Sequence, residues 1–106
     1  MRILSPSLIE LHAFVAVAET GTFSRAAERL SVTQGAISRA VLRLEARLGI
    51  VLLERGPNGA QPTPEGRVYY EQVHPALAVL EAAVPARRHD RSLRALRVAA
   101  IRPSAS

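Results

Sequence analysis

The chain has 106 residues, 14 of them Arg and none Lys, against nine acidic residues, for a net charge of +5 and a pI near 11.2. That length accommodates one small domain with an appendage and is too short for a two-domain enzyme with its own cleft. At 48% hydrophobic and 22% charged it is the composition of a folded chain, and the lack of Cys excludes disulfides, thiolate zinc sites and Cys nucleophiles.

The charge is unevenly placed. Residues 1–66 carry seven Arg against six Glu, a net of +1, whereas residues 67–106 carry seven Arg against three acids, a net of +4. The basic pI therefore comes mostly from the C-terminal third, a solvated linker in this reading, and any anion-binding case must rest on individually placed arginines. No run approaches the ~18 apolar residues of a membrane helix, and the segment Ala13–Ala18 is flanked by Glu10, His12 and Glu19, so a cytoplasmic chain with no membrane partner is expected.

Ser7-Leu-Ile-Glu10 has the spacing of a capping box, and a first helix is expected from about Ser7 to Thr20, stopped by Gly21. Leu8, Leu11, Val15 and Ala18 form its predicted apolar stripe. A second, short helix is placed at Arg25–Leu30 with Ser24 as N-cap; its Ala26 and Ala27 are small enough for a helix to approach closely. Ser31-Val-Thr33 makes a tight turn, with Thr33 capping a third helix from Gln34 to Leu48 that ends at Gly49. Two helices around such a turn are a helix-turn-helix. At 100° per residue Ile37, Val41, Leu44 and Leu48 share one side of the third helix, and Gly35, Ser38, Arg39, Arg43 and Ala46 the other.

Ile50–Arg55 is β-prone, Gly56-Pro-Asn-Gly59 is turn chemistry with Asn-Gly expected to supply a tight hairpin, and Ala60-Gln-Pro62 is a short edge strand. Thr63-Pro-Glu65 starts a long helix, which Pro75 should kink and Pro85 end. Val73, Leu77, Leu80 and Val84 keep a 4-3-4 spacing, a narrow seam suited to a partner helix or to packing back on the first helix. Arg94–Arg102 reads as a strand without a partner strand in the chain. The fold expected is mainly α, a winged helix-turn-helix with a two-stranded wing and a long C-terminal linker helix.

These pieces resemble the N-terminal DNA-binding domain of LysR-type transcriptional regulators. The resemblance lies in Leu11–Arg55, with A-A-E-R-L at Ala26–Leu30, V-T-Q at Val32–Gln34, S-R at Ser38–Arg39 and L-E-x-x-L-G at Leu44–Gly49, followed by Thr63-Pro-Glu-Gly66. It implies a DNA-binding domain over 1–64, a linker or dimerisation helix over 65–90, and in 91–106 a tail similar to the first strand of an effector-binding domain, past which the chain looks cut off. Gly35, Leu42 and Pro62 depart from the family's pattern, which commonly has Pro or Ser, a polar or basic residue, and an aliphatic residue there.

By position on a groove-entering helix, Gln34, Gly35, Ser38 and Arg39 are candidates for base contact, Gln pairing with adenine and Arg with guanine. Phe23, Ser24, Arg25, Thr33, Arg43 and Arg55 are candidates for the DNA backbone. Each has a plainer reading: caps for Ser24 and Thr33, helix-start filler for Gln34, a solvated face for Arg39 and Arg43, and an ion pair with Glu54 or Glu45 for Arg55. Val73, Leu77, Leu80 and Val84 are the dimerisation candidates. His12, His74 and His89 lack ligand spacing and Asp90 is the sole Asp, so neither metal, cofactor nor catalysis is expected. The partners implied are double-stranded DNA, read as an inverted repeat, and a second copy of the chain, with a small-molecule effector confined to the missing C-terminal domain. The alternative is an interaction module that dimerises with a full-length relative and modulates it.

Overall fold

The computed structural model describes residues 5–83, which form four helices and one two-stranded antiparallel sheet. Helix α1, Leu8–Thr20, opens with the expected capping box: Glu10 N donates to Ser7 Oγ and Ser7 N to Glu10 Oε1, each at 3.3 Å. It closes at Gly21 in the left-handed region. Its apolar face is not the predicted stripe. Ala13 through Val17 are all buried while Leu8 is 53% exposed, because α1 is the central element and packs on the second, third and fourth helices at once. An element covered on several sides loses its one-sided periodicity.

Helix α2 runs Phe23–Leu30, starting two residues before the predicted onset. Thr22, not Ser24, is its cap: the extended Thr22 accepts from Arg25 N at 2.9 Å, while Ser24 lies exposed in the first turn. This brings Phe23 into the helix, where its ring packs against the core beside Ala26 and Ala27. After a turn through left-handed Ser31, helix α3 spans Gln34–Leu48 as predicted, with Thr33 Oγ1 accepting from Ala36 N at 3.0 Å and Gly49 as its stop. Ile37, Ala40, Val41 and Leu44 face α1 and α2.

Strands β1, Leu53–Gly56, and β2, Gly59–Pro62, pair with Leu53 opposite Pro62 and Gly56 opposite Gly59. The strand begins three residues later than expected, and where it begins the Leu52 and Leu53 amides both donate to the Glu45 carboxylate, at 2.8 and 3.1 Å. The hairpin turn is also displaced. Its central residues are Pro57 and Asn58, so Asn-Gly is not the central pair; the proline ring holds φ near −65°, which a primed turn forbids at its first position. Gly59, at φ 129°, serves contact instead: a Cβ there would lie 2.2 Å from the Gly21 carbonyl oxygen, to which Ala60 N donates.

Helix α4, Pro64–Ala83, continues through Pro75 without interruption. Val73 and Leu77 are buried in the chain's own core, with Tyr69 and Tyr70 half-buried beside them. Over these two residues the seam packs back on α1, one of the two readings its spacing allows. Leu80 remains 46% exposed. Val84, the stop at Pro85 and the strand at Arg94–Arg102 lie outside the described residues. No described helix is long and apolar enough to cross a membrane.

Candidate nucleic-acid interface

The starts of α2 and α3 and the wing enclose one open cleft. Its lining includes Phe23, Ser24, Gln34, Ser38 and Arg55, five of the ten predicted contact residues, together with the wing tip Gly56–Gly59. Each is delivered by a local device. Thr22 and Thr33 cap α2 and α3, leaving Ser24 and Gln34 exposed on first turns whose free amides give each helix start partial positive charge. Thr33 is therefore a cap, with its hydroxyl oxygen engaged by Ala36 N.

Along the exposed side of α3, Gly35 and Arg39 form a unit. A Cβ on Gly35 would meet Arg39 Nη1 at 3.2 Å, so the guanidinium lies back over the glycine, one turn toward the helix start. Arg25 is exposed on α2. Arg55 makes no ion pair among the described residues; its guanidinium carbon instead stands 5.0 Å from the centre of the Phe23 ring, so the wing arginine is held over α2 by a cation–π contact.

Arg43 sits at the margin. Its Nε is 3.6 Å from Glu10 Oε2, and that carboxylate is bound more closely by Arg47, which donates from Nε at 3.1 Å and from Nη2 at 2.9 Å. Glu10 is 2% exposed, and the Arg47 hydrogen bond, aided by the Ser7 amide and the charge of Arg43, holds its carboxyl below the usual carboxylate range despite burial; the same bond raises the Arg47 guanidinium. Sequence reasoning missed Arg47. Nothing local marks it, since Glu10 and Arg47 are 37 residues apart.

A second polar knot ties α4 to the helix-turn-helix. The Tyr70 hydroxyl donates to Glu19 Oε2 at 2.5 Å, Arg29 Nη1 donates to Glu19 Oε1 at 2.6 Å, and the His74 ring stacks on Tyr70 with Nε2 3.5 Å from Glu19. The Tyr70 bond foremost, then Arg29, lowers the Glu19 carboxyl, and the Tyr70 phenol is raised in turn. Thr63 joins α4 to the wing: its hydroxyl donates to the Val51 carbonyl at 2.6 Å and accepts from Gly66 N at 2.9 Å. Among the described residues no cluster of three or more His, Asp or Glu could hold a metal ion.

Residues 8–67 match the bacterial regulatory helix-turn-helix domain of the lysR family. The chain is 45% identical over 74 residues to the HTH-type transcriptional regulator CrgA of Neisseria meningitidis, covering 70% of this chain and 25% of CrgA. It is 44% identical over 88 residues to the HTH-type transcriptional regulator TcbR of a Pseudomonas species, covering 83% of this chain and 28% of TcbR. The chain thus spans little more than a quarter of the length of these relatives. Among solved structures, the BenM DNA-binding domain in complex with benA site 1 DNA superposes with a TM-score of 0.69 at 40% identity, covering 74% of this chain and 91% of that one. With its four helices, two-stranded wing and this match over more than half its length, the chain belongs to the LysR family of bacterial helix-turn-helix transcriptional regulators.

Proposed function

We propose that this chain binds duplex DNA sequence-specifically, as a dimer on an inverted repeat, with α3 in the major groove. The observation that carries the reading is the single cleft that gathers the α2 start, the α3 start and the wing tip around Gln34, Ser38 and Arg55; the BenM domain of the same fold is solved with DNA. Gln34, Ser38 and Arg39 meet base edges, with Gly35 admitting the backbone closely, and a bidentate Arg39–guanine pair is worth ~1–3 kcal/mol of discrimination. Ser24, Arg25 and the amides at the helix starts meet phosphates, Arg55 is aimed at the backbone by Phe23, and Arg43 is a lesser phosphate contact because Glu10 shares its charge. The dimer rests on α4, where Leu80, Val68 and Val79 stay exposed after Val73 and Leu77 have packed inward; two copies would present their α3 helices to successive grooves.

The test is a binding titration of the 106-residue chain against a site selected from random duplexes and against unselected DNA. Arg39→Ala should lower the ratio of the two affinities about tenfold or more. Arg25→Ala should weaken both alike and reduce the salt slope by about one. Equal affinity of the parent chain for selected and unselected duplexes would refute base readout.

A further inference from the structure

Leu42 is 51% exposed and stands in the middle of the α3 face assigned to the groove. At 100° per residue its direction lies within about 60° of those of Gly35, Ser38 and Arg39. Its neighbours three and four residues away on the helix are Ser38, Arg39, Glu45 and Ala46, which offer it no apolar side chain larger than a methyl, only the methylene stems of charged residues. The other large exposed hydrophobics are elsewhere: Leu8 and Ile9 on α1, Val68, Val79 and Leu80 on α4, Val32 in the turn, Ile50 and Val51 ahead of the wing. Exposure of one leucine is unremarkable in the free protein. Once this face enters a major groove, however, the side chain loses its water against base edges.

Those edges are almost wholly donors and acceptors, and the one apolar group of the four standard bases in that groove is the C5-methyl of thymine. Against guanine, adenine or cytosine, Leu42 would strip water from a polar group and give it no partner, which is penalised. Against thymine it buries a methyl. We infer that Leu42 is a specificity-determining residue that selects thymine by its 5-methyl group. Three residues of helix advance about 4.5 Å, so this thymine falls one to two base pairs from the base read by Arg39. The assignment rests on the proposed base-reading role of α3.

The experiment begins with selection of a duplex site by the 106-residue chain. Each thymine within the site is then replaced in turn by deoxyuridine, which removes only the methyl and leaves every hydrogen bond in place. For the parent chain, one replacement near the Arg39-dependent base pair should weaken binding about fourfold, the effect expected of one buried methyl-sized group. Leu42→Ala should bind the thymine and deoxyuridine versions of that site equally, while keeping the parent's helical circular dichroism and melting temperature, since the side chain lies outside the core. A parent chain indifferent to every replacement, or a Leu42→Ala variant with the same methyl dependence as the parent, overturns the assignment of Leu42 alone. Failure of the selection to enrich any site overturns both it and the base-reading role.

Discussion

Gly66 is the place where helix propensity and tertiary packing give opposite signs. By propensity, Gly66→Ala in the first turn of α4 should stabilise by up to about 1 kcal/mol. In the structure the added Cβ would lie 2.0 Å from the Leu52 carbonyl oxygen and 2.9 Å from its carbon, where carbon–oxygen contacts ordinarily begin near ~3.3 Å. Either the start of α4 or the Leu52 backbone must move by about 1 Å. That backbone is not free: Leu52 accepts from Thr63 N at 2.9 Å and donates to Glu45, and its side chain is fully buried. Loss of about two hydrogen bonds, near 1 kcal/mol each, with 1–2 kcal/mol of core strain, outweighs the propensity gain and leaves about 2–3 kcal/mol of destabilisation. For a domain of this size the melting temperature, followed by circular dichroism, should fall roughly 10–20 °C. A variant melting at or above the parent would refute the argument that close approach governs this position.

The polar links give two further expectations. Glu10 and Glu19 have folded-state carboxyl pKa values held below their unfolded values. Their contribution is therefore complete above the unfolded carboxylate pKa and is lost as pH falls through the folded value, so urea midpoints should be level near pH 6–7 and decline from about pH 5 downward. Glu10→Gln should cost on the order of 2 kcal/mol at pH 7, because it leaves Arg47 with a neutral acceptor, and should flatten part of that acid decline; an unchanged pH profile would show that the Glu10–Arg47 pair is not populated in solution. Phe23→Leu keeps an apolar side chain but removes the ring beneath Arg55. It should weaken binding to selected and unselected DNA alike, by about threefold, the worth of one exposed cation–π contact, and a change in preferred sequence would contradict a backbone role for Arg55.

The helices were largely legible from local chemistry. Ser7 with Glu10, Thr33, Gly21 and Gly49 are signals read within a few residues of where they act, and the turn between α2 and α3 falls where the caps place it. What local chemistry misplaced depended on distant partners. Thr22 and Ser24 are both capping residues, Ser the better in isolation, and capping at Thr22 seats Phe23 against the core. The 4-3-4 seam on α4 could meet a second copy or the chain itself, and Val73 and Leu77 meet α1 because α4 folds back on it. The family motifs were visible as letters before their physics was. The Glu of L-E-x-x-L-G is Glu45, which collects two wing amides, and in Thr63-Pro-Glu-Gly66 the threonine bridges the wing and the helix while the glycine lets the two touch. Five candidate contacts share one cleft although they come from three separate stretches of chain, a convergence no spacing rule reveals.

The two bonds from Glu45 to the Leu52 and Leu53 amides act like the rivet of a caliper. Because the same carboxylate belongs to α3 and grips the root of β1, spreading or closing the wing root relative to the helix would cost these two bonds. On the proposed DNA-binding role, a duplex offered to such a jaw would be gauged by the separation of its grooves as well as by its bases. Sequences that are stiff at the wrong width would then be rejected before any side chain had met a base edge.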